Sequence, residues 1–249
     1  MIDLTPPEGV YRQPTVFPAG ETDRSGRVRA DAILSRLQHA AEAHHTLLGM
    51  DRDAAVAHGC FWAVVRTELH MDMPLPAGKE LWLDTWAGRR GHGLFWRHYR
   101  LLSLTGEVLL RAVSVWVLME LESRMLGKNH AWCDDFPRAD VPGALPETLR
   151  GLPFPKELPA AGCRTVTEAE SDINGHLNNA LYIPWGEALL PEDYAEGHRM
   201  RALWIEYRKE LPKGQNVELY SRLENDILYV RGLADGHESF CMRLEYDSI

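Results

Sequence analysis

Between Asp31 and Leu48 the apolar residues Ile33, Leu34, Leu37, Ala40, Ala41, Leu47 and Leu48 recur mostly at helical spacing, and Gly49 follows them. That pattern predicts a helix with one buried stripe, stopped by the glycine. From Phe61 to Glu120 the period changes. Runs such as Trp82-Leu83-Asp84-Thr85-Trp86 and Val113-Ser114-Val115-Trp116-Val117 alternate, and Pro74, Pro76-Ala77-Gly78, Gly91-His92-Gly93 and Thr105-Gly106 interrupt them. Alternation broken by turn residues predicts four strands in a meander. The plan then recurs: a strand near 163–169, a turn at Asp172, a helix over about 178–190, and strands near 201–210, 216–223, 226–233 and 239–247. Residues 1–20 are extended. Residues 133–160 hold six of the fifteen prolines with little periodicity, and so read as a linker. Helix then antiparallel sheet, twice, is an α+β arrangement in which each sheet needs its helix as cover. The expected units are an N-terminal repeat over 1–132, the linker 133–160 and a C-terminal repeat over 161–249.

Residue-level echoes support the duplication. Glu21-Thr22-Asp23-Arg24-Ser25-Gly26-Arg27-Val28 and Glu170-Ser171-Asp172-Ile173-Asn174-Gly175-His176-Leu177 share Glu, Asp and Gly at one offset, 149 positions. Glu68 to Pro74 echoes Glu206 to Pro212 at an offset of 138. The copies differ where chemistry would sit: Ser25 and Arg27 stand opposite Asn174 and His176. The first copy therefore reads as scaffold and the second as the working one.

Asp172, Asn174 and His176 place an acid, an amide and an imidazole in one turn before an amphipathic stretch. Imidazoles titrate near physiological pH and suit proton transfer. Gly175 lets backbone approach closely, so amides near Gly175 and Leu177 are candidate oxyanion donors. The plain alternative is a helix-capping turn, because Asp and Asn cap helices and Asn-Gly marks turns. His39, His44 and His45 share the first helix without an obvious set of carboxylate partners, so neither a metal site nor a cofactor is expected.

Composition narrows the setting. The chain has 249 residues, 45% hydrophobic, enough for a sizeable core. No run approaches the ~18–20 apolar residues of a membrane span, and the N-terminus lacks the basic and apolar regions of a signal peptide. Cys60, Cys133, Cys163 and Cys241 lie far apart with no CxxC pairing. A reduced, cytoplasmic setting is expected. The net charge of −9 argues against general nucleic-acid binding. Two basic islands stand against it, one with Arg89, Arg90, Arg97 and Arg100, the other with Arg199, Arg201 and Lys213. They are either solvated strand faces or a landing site for an acidic partner.

The run Asp172-Ile173-Asn174-Gly175-His176-Leu177-Asn178-Asn179-Ala180-Leu181-Tyr182 resembles the signature of the acyl-acyl-carrier-protein thioesterases. Ala30 to Gly49 resembles that family's first helix. Asp84 to Gly88 and Arg111 to Met119 resemble its first sheet, and Trp204 to Glu210 its post-helix strand. The likeness covers roughly residues 10–247. It implies a double hotdog, two long helices each wrapped by an antiparallel sheet. It also implies hydrolysis of fatty acyl thioesters on acyl carrier protein, with the acyl-phosphopantetheine arm as the partner's reactive part. The site then falls on Asp172, Asn174, His176 and Glu210, and the first repeat is expected to help form the acyl tunnel. Several plant members carry a cysteine directly after that glutamate, where this chain has Leu211. If the resemblance holds, no thiolate acts at that position. An acyl-CoA thioesterase of the same fold and a non-catalytic acyl-binding protein remain as alternatives, and a homodimer is left open.

Overall fold

The computed structural model describes residues 5–127, 131–133, 138–148, 151 and 153–249. The first repeat runs β1 (Tyr11–Val16), α1 (Ala30–Leu47), α2 (Arg52–Ala57), β2 (Cys60–Met71), β3 (Glu80–Gly91), β4 (Leu94–Leu102) and β5 (Val108–Glu120). The second runs β6 (Ala160–Thr165), α3 (Tyr182–Glu187), α4 (Tyr194–Gly197), β7 (His198–Tyr207), β8 (Asn216–Glu224), β9 (Ile227–Ala234) and β10 (His237–Ser248). These strands form one ten-stranded sheet in the order β1-β3-β4-β5-β2-β7-β10-β9-β8-β6. Outward from the centre, each half repeats the same strand succession.

The halves meet where β2 pairs antiparallel with β7. Thr67 lies opposite Ile205, Arg66 opposite Glu206 and Glu68 opposite Trp204. Thr67 and Ile205 are 138 positions apart, the offset of the second echo. A pseudo-twofold axis therefore passes between them, and it carries the Glu68–Trp204 pair onto Glu206–Arg66. The echo in sequence is a symmetry in space.

α1 buries Ile33, Leu34, Leu37, Ala40 and Ala41 against sheet residues including Leu83, Tyr99, Leu101 and Leu110. Gly49, at φ +65°, ends it as the sequence suggests. Met50 N–H turns back to donate to His45 O at 2.9 Å.

The second helix departs from expectation. In place of a helix over 178–190 there is a 3-10 turn at Asn179–Leu181 and then only Tyr182–Glu187. The Asn178 side chain accepts from Ala180 N–H at 2.9 Å, and Leu181 N–H donates to Asn178 O at 2.9 Å, which tightens the entry. Pro191 disfavours helical backbone at Leu190 and closes the exit. The resemblance implies two long helices; here α1 alone is long, and it packs against both the 3-10 turn and α3.

The described part of the Pro-rich linker is a strap across the face of the sheet away from α1. Ala144 N–H donates to His98 Nδ1 at 3.2 Å, and His98 Nε2 meets Glu147 Oε1 at 2.8 Å. Because Nδ1 accepts from an amide, Nε2 carries the proton given to the carboxylate. Arg66 donates to Thr148 O at 3.1 Å. Further on, Phe154 packs edge-on against Tyr229, and Arg231 donates to Lys156 O at 2.9 Å. The strap thus runs from β4 of one repeat to β9 of the other. Residues 134–137, 149–150 and 152 of the expected linker lie outside the described residues. No helix among the described residues is long and apolar enough to cross a membrane.

Candidate active site at the junction of the repeats

The turn at Asp172 is built around its own carboxylate. Asp172 Oδ1 accepts from Asn174 N–H at 2.8 Å and His176 N–H at 3.2 Å. Asp172 N–H donates to His176 O at 2.8 Å, and Gly175 N–H donates to Asp172 O at 3.0 Å. Gly175 takes φ +78°, which a Cβ would disfavour. The first copy repeats this bond for bond. Asp23 Oδ1 accepts from Ser25 N–H at 2.8 Å and Arg27 N–H at 2.9 Å, while Asp23 N–H donates to Arg27 O at 2.8 Å. The 149-residue echo is therefore a conserved loop geometry, and the Asp at its centre holds the turn in both repeats.

What differs is the side chains the turn presents. The second repeat presents Asn174 and His176. His176 Nε2 lies 3.8 Å from Glu210 Oε2. Asn174 Nδ2 is 3.4 Å from Asp172 Oδ2, and Arg52 of α2 donates to Asn174 Oδ1 at 3.4 Å. Arg124, in the turn after β5, forms an ion pair with Glu210 Oε2. In the first repeat Arg27 stands where His176 would. It binds Asp23 at 3.1 Å and the His198 carbonyl at 2.6 Å. Asp72, matching Glu210, is gripped by Arg111 at 2.5 and 2.8 Å, and this guanidinium holds the Asp72 carboxyl below the usual carboxylate range. The first copy is a closed set of salt bridges.

All four predicted polar residues thus gather at one place. Tyr182 lines it as well; burial above all, then the charges of Glu210 and Asp172, pushes its phenol well above the ordinary value and keeps it neutral. Arg52, Arg124 and Tyr182 were not anticipated. Nothing local to Ser123-Arg124 signals a partner 86 residues away.

Two expectations need correction. Gly175 and Leu177 do not offer free amides: Gly175 N–H is spent on Asp172 O, and Leu177 N–H donates to Leu211 O at 2.8 Å. The turn that shapes the site consumes both donors. The first basic island is not a surface patch either. Arg97 is buried, bonded to His44 Nδ1 and Thr85 Oγ1 at 3.1 Å each, and burial lowers it to about 10. Arg100 pairs at 3.1 Å with the buried Asp84, which Arg12 also clasps. Arg89 pairs with Glu147 of the strap, and Arg90 donates to Cys133 O. In the second island Arg199 and Arg201 pair with Asp247, and Lys213 with Glu168. Among the described residues, Arg89, Arg100, Arg199, Arg201 and Lys213 are thus in salt bridges with carboxylates.

Two helix-covered halves sharing one continuous sheet define the double-hotdog class. Solved structures agree. An acyl-carrier-protein thioesterase from Bacteroides thetaiotaomicron superposes with a TM-score of 0.86 at 18% identity, covering 96% of this chain and 98% of that one. The 12:0 acyl-carrier-protein thioesterase of Umbellularia californica gives 0.83 at 20% identity, with 96% and 98% covered. The model of the acyl-ACP thioesterase N-terminal domain matches residues 8–131, and that of the C-terminal domain matches residues 165–244. The chain belongs to the acyl-ACP thioesterase family. It is 25% identical over 228 residues to a chloroplastic palmitoyl-acyl carrier protein thioesterase of Cuphea hookeriana, covering 86% of this chain and 55% of that protein. It is 24% identical over 242 residues to the oleoyl-acyl carrier protein thioesterase 1 of Arabidopsis thaliana, covering 90% and 67%. The chain spans between about half and two thirds of the length of these curated relatives.

Proposed function

We propose that the chain hydrolyses fatty acyl thioesters of acyl carrier protein, releasing free fatty acid and the carrier's thiol. The carrying observation is that His176 and Glu210 meet at the junction of the repeats beside the turn that presents Asn174, while Arg27 and Asp72, which match His176 and Glu210 in the first copy, are locked in salt bridges. Water adds to the thioester carbonyl, the tetrahedral adduct expels the thiolate, and the thiolate takes a proton. In this reading Glu210 and His176 accept the water's proton and return one to sulfur, which their 3.8 Å approach supports. Arg52 engages Asn174 Oδ1, and Nδ2 gives one proton to Asp172 Oδ2, which leaves its second proton to donate to the carbonyl oxygen and replace the spent amides. Asp172 has one oxygen committed to two backbone amides, which supports an anchoring role over direct attack.

The first repeat supplies the acyl-binding part in this reading. Its cleft is lined by Trp62, Phe95, Trp96 and Trp116, with His45 stacked on Trp62 and Arg89, Arg90, Arg97 and Arg138 also on its walls. Burial first, then the neighbouring Arg97, lowers His45 well below an ordinary histidine, so its ring stays neutral and adds no charge to the aromatic part of the cleft. The test is turnover of matched acyl-carrier-protein and coenzyme A thioesters from short to long chains. Equal rates on both carriers would move the assignment to an acyl-CoA thioesterase. No turnover of any thioester would leave an acyl-binding protein.

A further inference from the structure

Arg124 occupies a backbone conformation that suits glycine, at φ +55°. Among the described residues, the other non-glycine residues with positive φ are His92, Asn225, Asp226 and Asp235, the residue types that enter this region most readily. Arginine has no such local preference, and a glycine would hold the same turn without strain. The turn itself is set by Arg124 N–H donating to Glu120 O at 3.1 Å and by the Ser123 hydroxyl on Glu120 at 2.7 Å. Neither bond uses the guanidinium.

The side chain accounts for the exception. Its guanidinium lies 4.4 Å over the Phe61 ring and pairs with Glu210 Oε2. His176 approaches the same oxygen. Glu210 Oε1 has no partner among the described residues. Asp72 of the first copy has both oxygens taken by one arginine, which makes it a salt bridge and nothing more. Glu210 is held by one oxygen and left open at the other.

We infer that Arg124 is a positioning residue for thioester hydrolysis, contributed by the repeat that lacks its own amide and imidazole. It fixes Glu210 through Oε2, so that Oε1 faces the attacking water. The inference rests on the reading of Glu210 as a group that acts on that water. The ionisable groups around Glu210 are Arg124 from the β5 turn, His176 and Asp172 from the Asp172 turn, and Tyr182 from α3. Arg124 brings the positive charge that pairs with it.

Four variants decide the matter: Arg124→Gly, Arg124→Asn, Arg124→Lys and Glu210→Gln. Each is assayed for hydrolysis of an acyl-carrier-protein thioester and of a small acyl thioester across pH 5–9, with thermal melting alongside. Gly and Asn both accept the left-handed backbone, so melting temperature should hold or rise. Turnover should fall roughly 10–100-fold on both substrates, the cost of a misplaced reacting group, with KM little changed. Arg124→Lys should recover part of the loss, because it restores a cation that can hold Glu210 Oε2. Turnover within about twofold of wild type in Arg124→Gly, with Glu210→Gln inactive, overturns the inference and leaves the active-site reading standing. An effect on KM alone, confined to the carrier-protein substrate, also overturns it. So does an equal kcat loss in Arg124→Lys, with no recovery over Arg124→Gly. Full activity in Glu210→Gln removes the active-site reading itself.

Discussion

Asp23 and Asp172 make a matched experiment within one molecule. Each carboxylate accepts two backbone amides, at 2.8 and 2.9 Å in one copy and 2.8 and 3.2 Å in the other. Truncating either to alanine removes a cap-like Asp, worth about 0.5–2 kcal/mol. Asp23 also loses an ion pair with Arg27 at 3.1 Å, but both side chains are partly exposed, and such pairs contribute ~0–1 kcal/mol. The two alanine variants should therefore cost similar stability, about 1–2 kcal/mol, or roughly 2–8 °C in melting temperature for a chain of this size. Their activities should separate. Asp23→Ala should keep turnover within about threefold. Asp172→Ala should lose about tenfold or more, ~1.4 kcal/mol in barrier, because Asn174 and His176 lose their reference point. Asp172→Asn keeps an oxygen for the two amides and should recover most of the stability. The assay is acyl-carrier-protein hydrolysis under saturating substrate, paired with calorimetry. If Asp172→Ala loses stability but turns over like wild type, the turn does not serve the chemistry, and the site must be sought elsewhere.

His176→Ala should retain its melting temperature and lose ~10²–10⁴-fold in turnover; near-wild-type hydrolysis would refute its role. Thiol alkylation should leave turnover within about twofold, because Cys60, Cys133 and Cys241 are buried and Cys163 lies on the edge strand β6. An alkylated protein that has lost activity but not its fold would disprove this. Stability should fall as pH drops from about 6.5 towards 4. Burial first, then Arg97, lowers His44 to about 4; burial likewise lowers His98. The folded state keeps these rings neutral while the unfolded chain takes up protons, so stability is full above the unfolded pKa and drains below it. The loss is up to ~1.4 kcal/mol per pH unit for each histidine. Urea unfolding at pH 7.5 and 5 measures it, and a flat dependence would show that these histidines are charged in the native state.

The strands were legible because most have one face in the core and one in water. β9 is the plainest case, alternating along its whole length as Ile227–Ala234. β4 hides what it does with its charges, since both of its faces are covered. α1 lies over Tyr99 and Arg97, and the linker strap lies over Trp96 and His98. A strand covered on both sides gives no polar-out signal, so Arg97 read as surface charge. The spent amides were hidden for a related reason. Spacing locates Gly175 and Leu177, but their partners depend on Leu211 coming back beside them. The short α3 was masked by apolar spacing that continues past Glu187 into a turn. Asp172, Asn174, His176 and Glu210 were legible through the duplication and the family signature together. Arg52 and Arg124 come from the other repeat, and no local pattern ties them to the site.

The ten strands end in β1 and β6, each six residues long. Pro14 interrupts the donors of β1, and β6 carries a register shift between Ala160 and Gly162. Short, proline-bearing or bulged margins are poor templates for adding a further strand. The joint that two separate hotdog subunits would form is already made inside this chain, at β2 and β7. Growth of the sheet is blunted at both rims, so its edges are poorly suited to pairing with a second copy.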